Sequence, residues 1–275
     1  MADHRADWRS YDNIARDYDP VWGRFFQEAA RRIWTVAPLR PEAALLDIGT
    51  GTGMIPRALG PRADGLARLV GCDQSRVMLQ EATTRMPLLR GVAADAESLP
   101  IAEAVFDVVT ASFVLSHLED YRAGLAEALR VLKPGGAFVA ATWAEKTDPQ
   151  TEAWRGLLAG ALPATATPVG ALSAEVAPSE AFFEHEENVD AALTEAGFVD
   201  VEVRRFSMSG QLTVEQFLSD RELSSSGRFA RQSLEPSDYQ QLLDRARREV
   251  TRSFGATLCY QRAFLVGLGR RPDRL

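Results

Sequence analysis

LLDIGTGTGMI, Leu45 to Ile55, is the stretch whose reading decides the fold. Leu45–Ile48 reads as a short buried strand, and Gly49, Gly51 and Gly53 as a tight glycine-rich turn. A helix is expected next, holding Arg57, Ala58 and Leu59. Strand, turn and helix make the first unit of a doubly wound α/β sheet, in which ligands bind beyond the carboxyl ends of the strands. Glycine tolerates positive φ and lets a ligand come close to the backbone.

The spacing of the glycines narrows the ligand. A dinucleotide fingerprint, G-x-G-x-x-G, would place its third glycine at position 54, which is Met54. An acid, Asp47, stands two residues before Gly49 instead, and a carboxylate there suits a cationic ligand better than a pyrophosphate. Here the sequence resembles the class I S-adenosylmethionine (SAM)-dependent methyltransferases, whose first motif is an acid followed by G-x-G-x-G. SAM carries a sulfonium and an α-amino group and no phosphate. The competing reading is a glycine turn with only a structural job.

Working outward, LARLVGCD (66–73) is a second strand ending at an acid. Asp73 lies 73 − 49 = 24 positions after Gly49, close to the ~20 at which nucleotide-binding folds place a ribose carboxylate. Two vicinal hydroxyls can both donate to one such group. Gln74 follows, and Ser75 is a fair N-cap for a helix carrying Val77, Met78 and Leu79. LLRGVAADAESLPI (88–101) gives a third strand and then Asp95-Ala96; its DAESLPI resembles the family's DAExLPF segment. FDVVTASFVLSHL (106–118) opens with a fourth strand, apolar on both faces as a central parallel strand should be. It runs into a turn holding Ser112, Phe113, Ser116 and His117. A helix from Tyr121 to Leu132, a sharp KPGG turn and a fifth strand at 137–143 complete this part; LRVLKPGGAFV resembles the family's last core motif.

Upstream, Trp8, Tyr11, Ile14, Ala15 and Tyr18 recur at helical spacing. Asp19-Pro20 is expected to interrupt that helix before a second one, Val21 to Val36. YDNIARDYD resembles the opening of the ubiquinone/menaquinone-type small-molecule methyltransferases, where the segment folds over the cofactor; plain packing of the two tyrosines is the alternative. Downstream, residues 145–196 are part helix and part Pro/Ala/Thr loop, long enough to suggest function or mobility. A sixth strand is expected at Val199–Phe206, after a glycine C-cap at Gly197. Residues 208–256 read as a helical insertion, with capping boxes at Thr213–Gln216 and Ser237–Gln240. A final strand spans 257–270. The resulting organisation is an N-terminal helical lid (1–40), a SAM-binding core (41–144), a cap (145–196) and C-terminal strands of the same sheet (197–275). The resemblance implies a doubly wound, mostly parallel sheet of seven strands with the last antiparallel and with helical cap insertions.

Composition sets bounds. The 275 residues are 46% apolar and 25% charged, ordinary for a soluble globular protein. No apolar run approaches the ~18–20 residues that span a bilayer, and the polar start is no signal peptide. A net charge of −7 argues against nucleic acid as partner. Two cysteines, Cys72 and Cys259, are too few for a disulfide framework; they read as small core residues, with a reducing cytoplasm as the default. His185 sits among Glu184, Glu186 and Glu187 on what reads as a solvated acidic face, and no His/Cys cluster has metal-ligand spacing.

By resemblance, Asp47 and the backbone of Gly49, Thr50, Gly51 and Gly53 hold the methionine end of SAM. Asp73 takes the ribose hydroxyls, Gln74 and Met78 lie along the adenine, and Asp95 with Ala96 reads its amino group. Tyr11 and Tyr18 close the lid side, and Ser112 borders the methyl group. Met78 has an equally good reading as helix-face core. Methyl transfer needs alignment and desolvation more than acid–base machinery, so no triad is expected. A base is needed only for a neutral hydroxyl or an acidic carbon, and His117 is the candidate. The acceptor implied is a small natural-product or quinone-like molecule, with S-adenosylhomocysteine (SAH) as co-product and a monomer or homodimer as the unit. A non-methylating enzyme of the same fold and a silent scaffold are the alternatives.

Overall fold

The computed structural model describes residues 7–144 and 148–273. The first six residues of the expected lid and the first three of the 145–196 cap therefore lie outside the described residues. Seven strands form one sheet in the order β3-β2-β1-β4-β5-β7-β6. They are β1 (Ala44–Ile48), β2 (Arg68–Asp73), β3 (Arg90–Ala93), β4 (Phe106–Ser112), β5 (Leu132–Trp143), β6 (Val199–Thr213) and β7 (Thr257–Arg270). The first five pair in parallel, and β7 runs antiparallel to both neighbours. Strand order reverses between β1 and β4, the switch point at which such sheets open a crevice. β1 is buried along its whole length because β2 and β4 flank it and helices cover both faces.

One face of the sheet packs against α1 (Ala15–Val36), α2 (Met54–Arg57) and α3 (Arg76–Arg85), with Phe25, Ile33 and Ala82 in its core. The other packs against α4 (Tyr121–Val131) and α7 (Glu186–Glu195) through Leu125, Ala128, Val189 and Leu193. Helix α5 (Pro149–Ala161) and the short α6 (Glu180–Phe183) belong to the cap. Helices α8 (Val214–Leu223), α9 (Ser225–Ser233) and α10 (Pro236–Phe254) form the insertion.

Five expectations are corrected. Pro20 does not divide α1: it lies in the second turn with an exposed ring, where it forgoes only the bond to Arg16. Tyr18 stacks on Phe26 across it at 5.5 Å, and Asp19 is tied to the Thr52 hydroxyl at 2.5 Å, so one axis is held from both sides. Helix α2 ends at Arg57, before Leu59, because Gly60 turns to a φ of 55° ahead of Pro61. Strand β6 continues to Thr213, so the insertion starts six residues later than expected (214 − 208 = 6). Before Phe264, at residues 257–263, β7 pairs with β6 alone, making a two-stranded ribbon that carries α8–α10. A Cβ on Gly210 would meet the Tyr260 hydroxyl at 2.7 Å and its ring at 2.9 Å, so glycine lets that side chain cross the ribbon. The Thr213–Gln216 capping box forms as expected, but α10 starts at Pro236 with Glu235 as its N-cap, which leaves Ser237 inside the helix. Of the cysteines, Cys72 is buried and Cys259 is exposed on the ribbon rather than in the core.

Candidate active site

The glycine turn fixes the first wall. Gly49, Gly51 and Gly53 have φ of 60°, 54° and 78°, values an L-residue adopts only under strain. A Cβ on Gly49 would come within 2.3 Å of Val114. Asp73, at the end of β2, accepts from the Gly51 amide at 2.8 Å and from the Ser75 amide at 2.9 Å. It thereby locks the turn to the neighbouring strand and keeps lone pairs for a ligand. Burial raises the Asp73 pKa, and those two amides oppose the rise.

A cavity of about 680 Å³ opens above this turn. Among the predicted cofactor contacts, Tyr11, Tyr18, Gly49, Gly51 and Asp73 line it, as do Gln74, Met78, Ala96 and Ser112. Its charged lining is acidic: Asp7, Asp12, Asp73, Glu119 and Glu175 face Arg9. The N-terminal segment crosses its mouth. Arg9 pairs with Glu175, and Asp12 accepts from the Ser75 hydroxyl. Trp8 docks on α9, edge-on to Phe229 at 5.4 Å.

Four predicted residues stand elsewhere. Asp47 is 1% exposed and lies beneath the turn, where it accepts from Thr110 Oγ1 at 2.6 Å while its Oδ2 has no partner. Burial pushes its pKa up to about 7, against the Thr110 and Thr50 hydroxyls. Thr50 is buried over Gly71, with its amide given to the Cys72 carbonyl. Gly53 backs onto Ala82 as the N-terminal cap of α2. Asp95 is exposed and turned back to accept from the Glu97 amide at 2.9 Å, so Ala94 and Ala96 form the wall there. Asp47 and Thr50 prop the glycine turn from beneath and so cannot also face the ligand, whereas Asp95 is spent on its own local turn after β3.

A second cavity, about 220 Å³, adjoins the first. Tyr11, Tyr18, Phe113, His117 and Val176 border both. Its far side is aromatic. Tyr18, Trp22 and Phe26 lie four apart on α1, one stripe of the helix. Phe113 stacks on Trp143 at 4.3 Å. Phe113 also holds a φ of 59°, a strained conformation for a bulky residue, which places its ring on the border. Of this stripe the sequence singles out Tyr18 alone, as a lid residue; Trp22 and Phe26 stand at the same helical spacing. Trp143, Val176 and Arg228 carried no local signal.

His117 is oriented by the cap. Its Nδ1 lies 2.6 Å from the Val176 carbonyl. A carbonyl only accepts, so Nδ1 carries the hydrogen and Nε2 keeps its lone pair. Burial lowers the His117 pKa, and Arg228 lowers it further. The imidazole is thus neutral and basic at Nε2 near neutral pH. Tyr11 packs edge-on against it at 5.8 Å.

These residues fit SAM. The acidic lining suits its net positive charge, and Ser112 Oγ is buried on the cavity wall without a partner. Among the described residues no group of three or more His, Cys, Asp or Glu could hold a metal.

Comparison with known proteins agrees. Residues 46–140 match the family described as a methyltransferase domain. A demethylmenaquinone methyltransferase of Beutenbergia cavernae is 40% identical over 136 residues, 48% of this chain and 55% of that one, so the chain spans little more than half of that relative. A second, from Paenarthrobacter aurescens, is 33% identical over 208 residues, 72% of this chain and 80% of the relative. Among solved structures, phosphoethanolamine N-methyltransferase 2 of Haemonchus contortus in complex with SAM is similar at a TM-score of 0.60 and 18% identity, covering 98% of this chain and 59% of that one; it shares the fold. The glycine turn braced by the β2 acid, the antiparallel β7 and these matches agree on one conclusion: the chain belongs to the class I SAM-dependent methyltransferases, in the ubiquinone/menaquinone-type small-molecule family.

Proposed function

We propose that the chain methylates a small aromatic acceptor, with SAM in the larger cavity and the acceptor in the smaller one. The observation that carries this reading is the shared border at Tyr11, Tyr18, Phe113, His117 and Val176. When bound, SAM supplies an electrophilic methyl group. Asp73 receives the ribose hydroxyls, and the Gly49 and Gly51 backbone lets the methionine end approach. Asp47 acts from below, as a buried negative charge under the turn rather than as a direct contact. The acceptor ring lies among Phe26, Phe113 and Trp143, which exclude water from the nucleophile. His117 Nε2 takes the proton of a neutral hydroxyl acceptor as the new bond forms.

Residues 7–14 serve as the lid, held by Trp8 on α9 and by Arg9 on Glu175. No helix among the described residues is long and apolar enough to cross a membrane. Two free cysteines suit a reducing cytoplasm as the working compartment.

The experiment has two steps. Calorimetry with SAM should show saturable binding in the micromolar range. Incubation with methyl-labelled SAM and a metabolite extract should move the label to a small molecule. Absence of SAM binding sinks the cofactor assignment. Binding without any labelled small-molecule product sinks the acceptor assignment.

A further inference from the structure

The smaller cavity carries an uncompensated positive charge. Three guanidiniums line it, Arg221, Arg228 and Arg262, against two carboxylates, Asp220 and Glu180. Two of the three share one partner: Asp220 Oδ2 is 3.0 Å from Arg221 Nη2 and 2.9 Å from Arg262 Nη2. Asp220 also accepts from the Trp22 indole. Arg262 is further occupied by the Phe25 face, at 3.8 Å.

Arg228 differs from these two. It is only 9% exposed, yet among the described residues it forms no ion pair. Its Nη1 donates to the Ser10 carbonyl at 3.0 Å, and its guanidinium lies 4.8 Å from the centre of the Tyr11 ring. Its Nε is buried with no hydrogen-bond partner. Asp7 attracts it without pairing with it; a buried charge without a paired counter-charge is destabilising, and a ring face compensates only in part. Burial accordingly lowers the Arg228 pKa, although a guanidinium stays charged at any working pH.

We infer that Arg228 is the anchor for an anionic oxygen on the acceptor, so that the substrate class is a compact, anionic aromatic. This rests on the proposed function, because it takes the smaller cavity as the acceptor site. Size supports compactness. A cavity of about 150 Å³ is known to admit benzene, so about 220 Å³ admits one ring with short substituents. Charge division supports the same reading. Among charged residues the larger cavity is lined mainly by acids and the smaller has arginine in excess, so a cationic cofactor and an anionic acceptor each have one favourable place. Arg228 also borders an outer hollow of about 740 Å³ on the far side of the lid. That hollow lacks the Phe113–Trp143 pair, so a Trp143 variant tells the two locations apart.

The anion has two sources, a carboxylate substituent or the ionised reacting hydroxyl, and the probes separate them. Calorimetry on the full chain, with and without saturating SAH, uses 4-hydroxybenzoate, its neutral amide 4-hydroxybenzamide, and 4-nitrophenol at a pH where it is ionised. At least one anion should bind tenfold or more tightly than the amide. A preference for 4-hydroxybenzoate assigns the charge to a carboxylate, and one confined to 4-nitrophenolate assigns it to the reacting oxygen. Arg228→Gln should abolish the preference and Arg228→Lys should restore part of it, with both variants still binding SAH. Trp143→Ala should weaken the anion as well. Equal binding of acid, phenolate and amide overturns the inference, as does no binding of any of them or a preference that survives Arg228→Gln. Anion binding unaffected by Trp143→Ala overturns the assignment to the acceptor cavity. Loss of SAH binding in the parent with the anion preference intact would overturn the cofactor reading and leave the anion site standing.

Discussion

The two cavities are built in opposite ways. The larger rests on strand ends and tight turns: the turn after β1, the end of β2 and the turn after β4 supply its floor. Its main contacts fall within short motifs, and its lining is acidic. The smaller draws on α1, the ends of β4 and β5, the cap at Val176, and α8 and α9. Apart from α8 and α9, which adjoin, those segments lie far apart in sequence, and arginine outnumbers acid. Backbone geometry makes the first site, and side-chain packing between distant elements makes the second. Substitutions should therefore divide cleanly: those in the larger cavity change SAM affinity, and those in the smaller change acceptor use.

The shared border gives the largest expected effect. His117→Ala or His117→Gln should reduce turnover of a hydroxyl acceptor by ~10²–10⁴-fold with SAM affinity retained. The imidazole must be neutral to accept a proton, and its pKa is lowered. Parental turnover should therefore fall only as pH drops below the usual histidine range near ~6.5, and the variants should lose that limb. Turnover within about threefold of the parent with the limb intact makes His117 structural.

Asp73→Ala tests the larger cavity by itself. It removes a charged acceptor for ribose hydroxyls, of order 1.5–3 kcal/mol, so SAM affinity measured by calorimetry should fall at least tenfold while acceptor binding holds. An unchanged SAM affinity removes Asp73 from the contact set. A chain beginning at Ala15 tests the lid: it should melt cooperatively but bind SAM several-fold to about tenfold more weakly, since it loses Tyr11 and Asp12 from the wall. Normal SAM binding there reduces residues 7–14 to packing.

Asp47 gives a smaller effect, of distinctive sign. Its folded pKa, about 7, lies above the ordinary carboxylate value of 3.8. The folded state thus binds the proton more tightly, and stability is lost as pH rises through about 7. Three units set a ceiling near ~4 kcal/mol, and relaxation brings the expected effect to about 1–2 kcal/mol. Ligand-free Asp47→Asn should melt higher than the parent at pH 8, with the gap closing toward pH 4, yet bind SAM more weakly. Equal melting at pH 8 refutes the buried-charge account. Trp143→Ala should have the smallest effect on function: it loses roughly 0.5–1.5 kcal/mol of Phe113 stacking beyond the lost burial, and should raise the acceptor KM several-fold with the SAM affinity unchanged. A matching loss of SAM affinity would break the division between the cavities.

The sequence alone determined the sheet, the switch-point crevice and the cofactor, because each depends on local chemistry. Glycines at 49, 51 and 53 permit the positive φ of the turn, and an acid ending β2 falls beside it through parallel register. Helix caps at Ser75 and Thr213 are likewise set within a few residues. Tertiary structure decided what no short segment contains. It carried α1 straight through Pro20, because Asp19 and the Tyr18–Phe26 stack hold both halves. It sent Asp47 beneath the turn rather than into the cavity, and fixed the His117 tautomer through a carbonyl 59 residues away. It set Arg228 over Tyr11, residues more than two hundred positions apart. The physical reason is range. Backbone conformation is governed by neighbours in the chain, whereas the charge and shape of a cavity between elements depend on which distant side chains packing brings together.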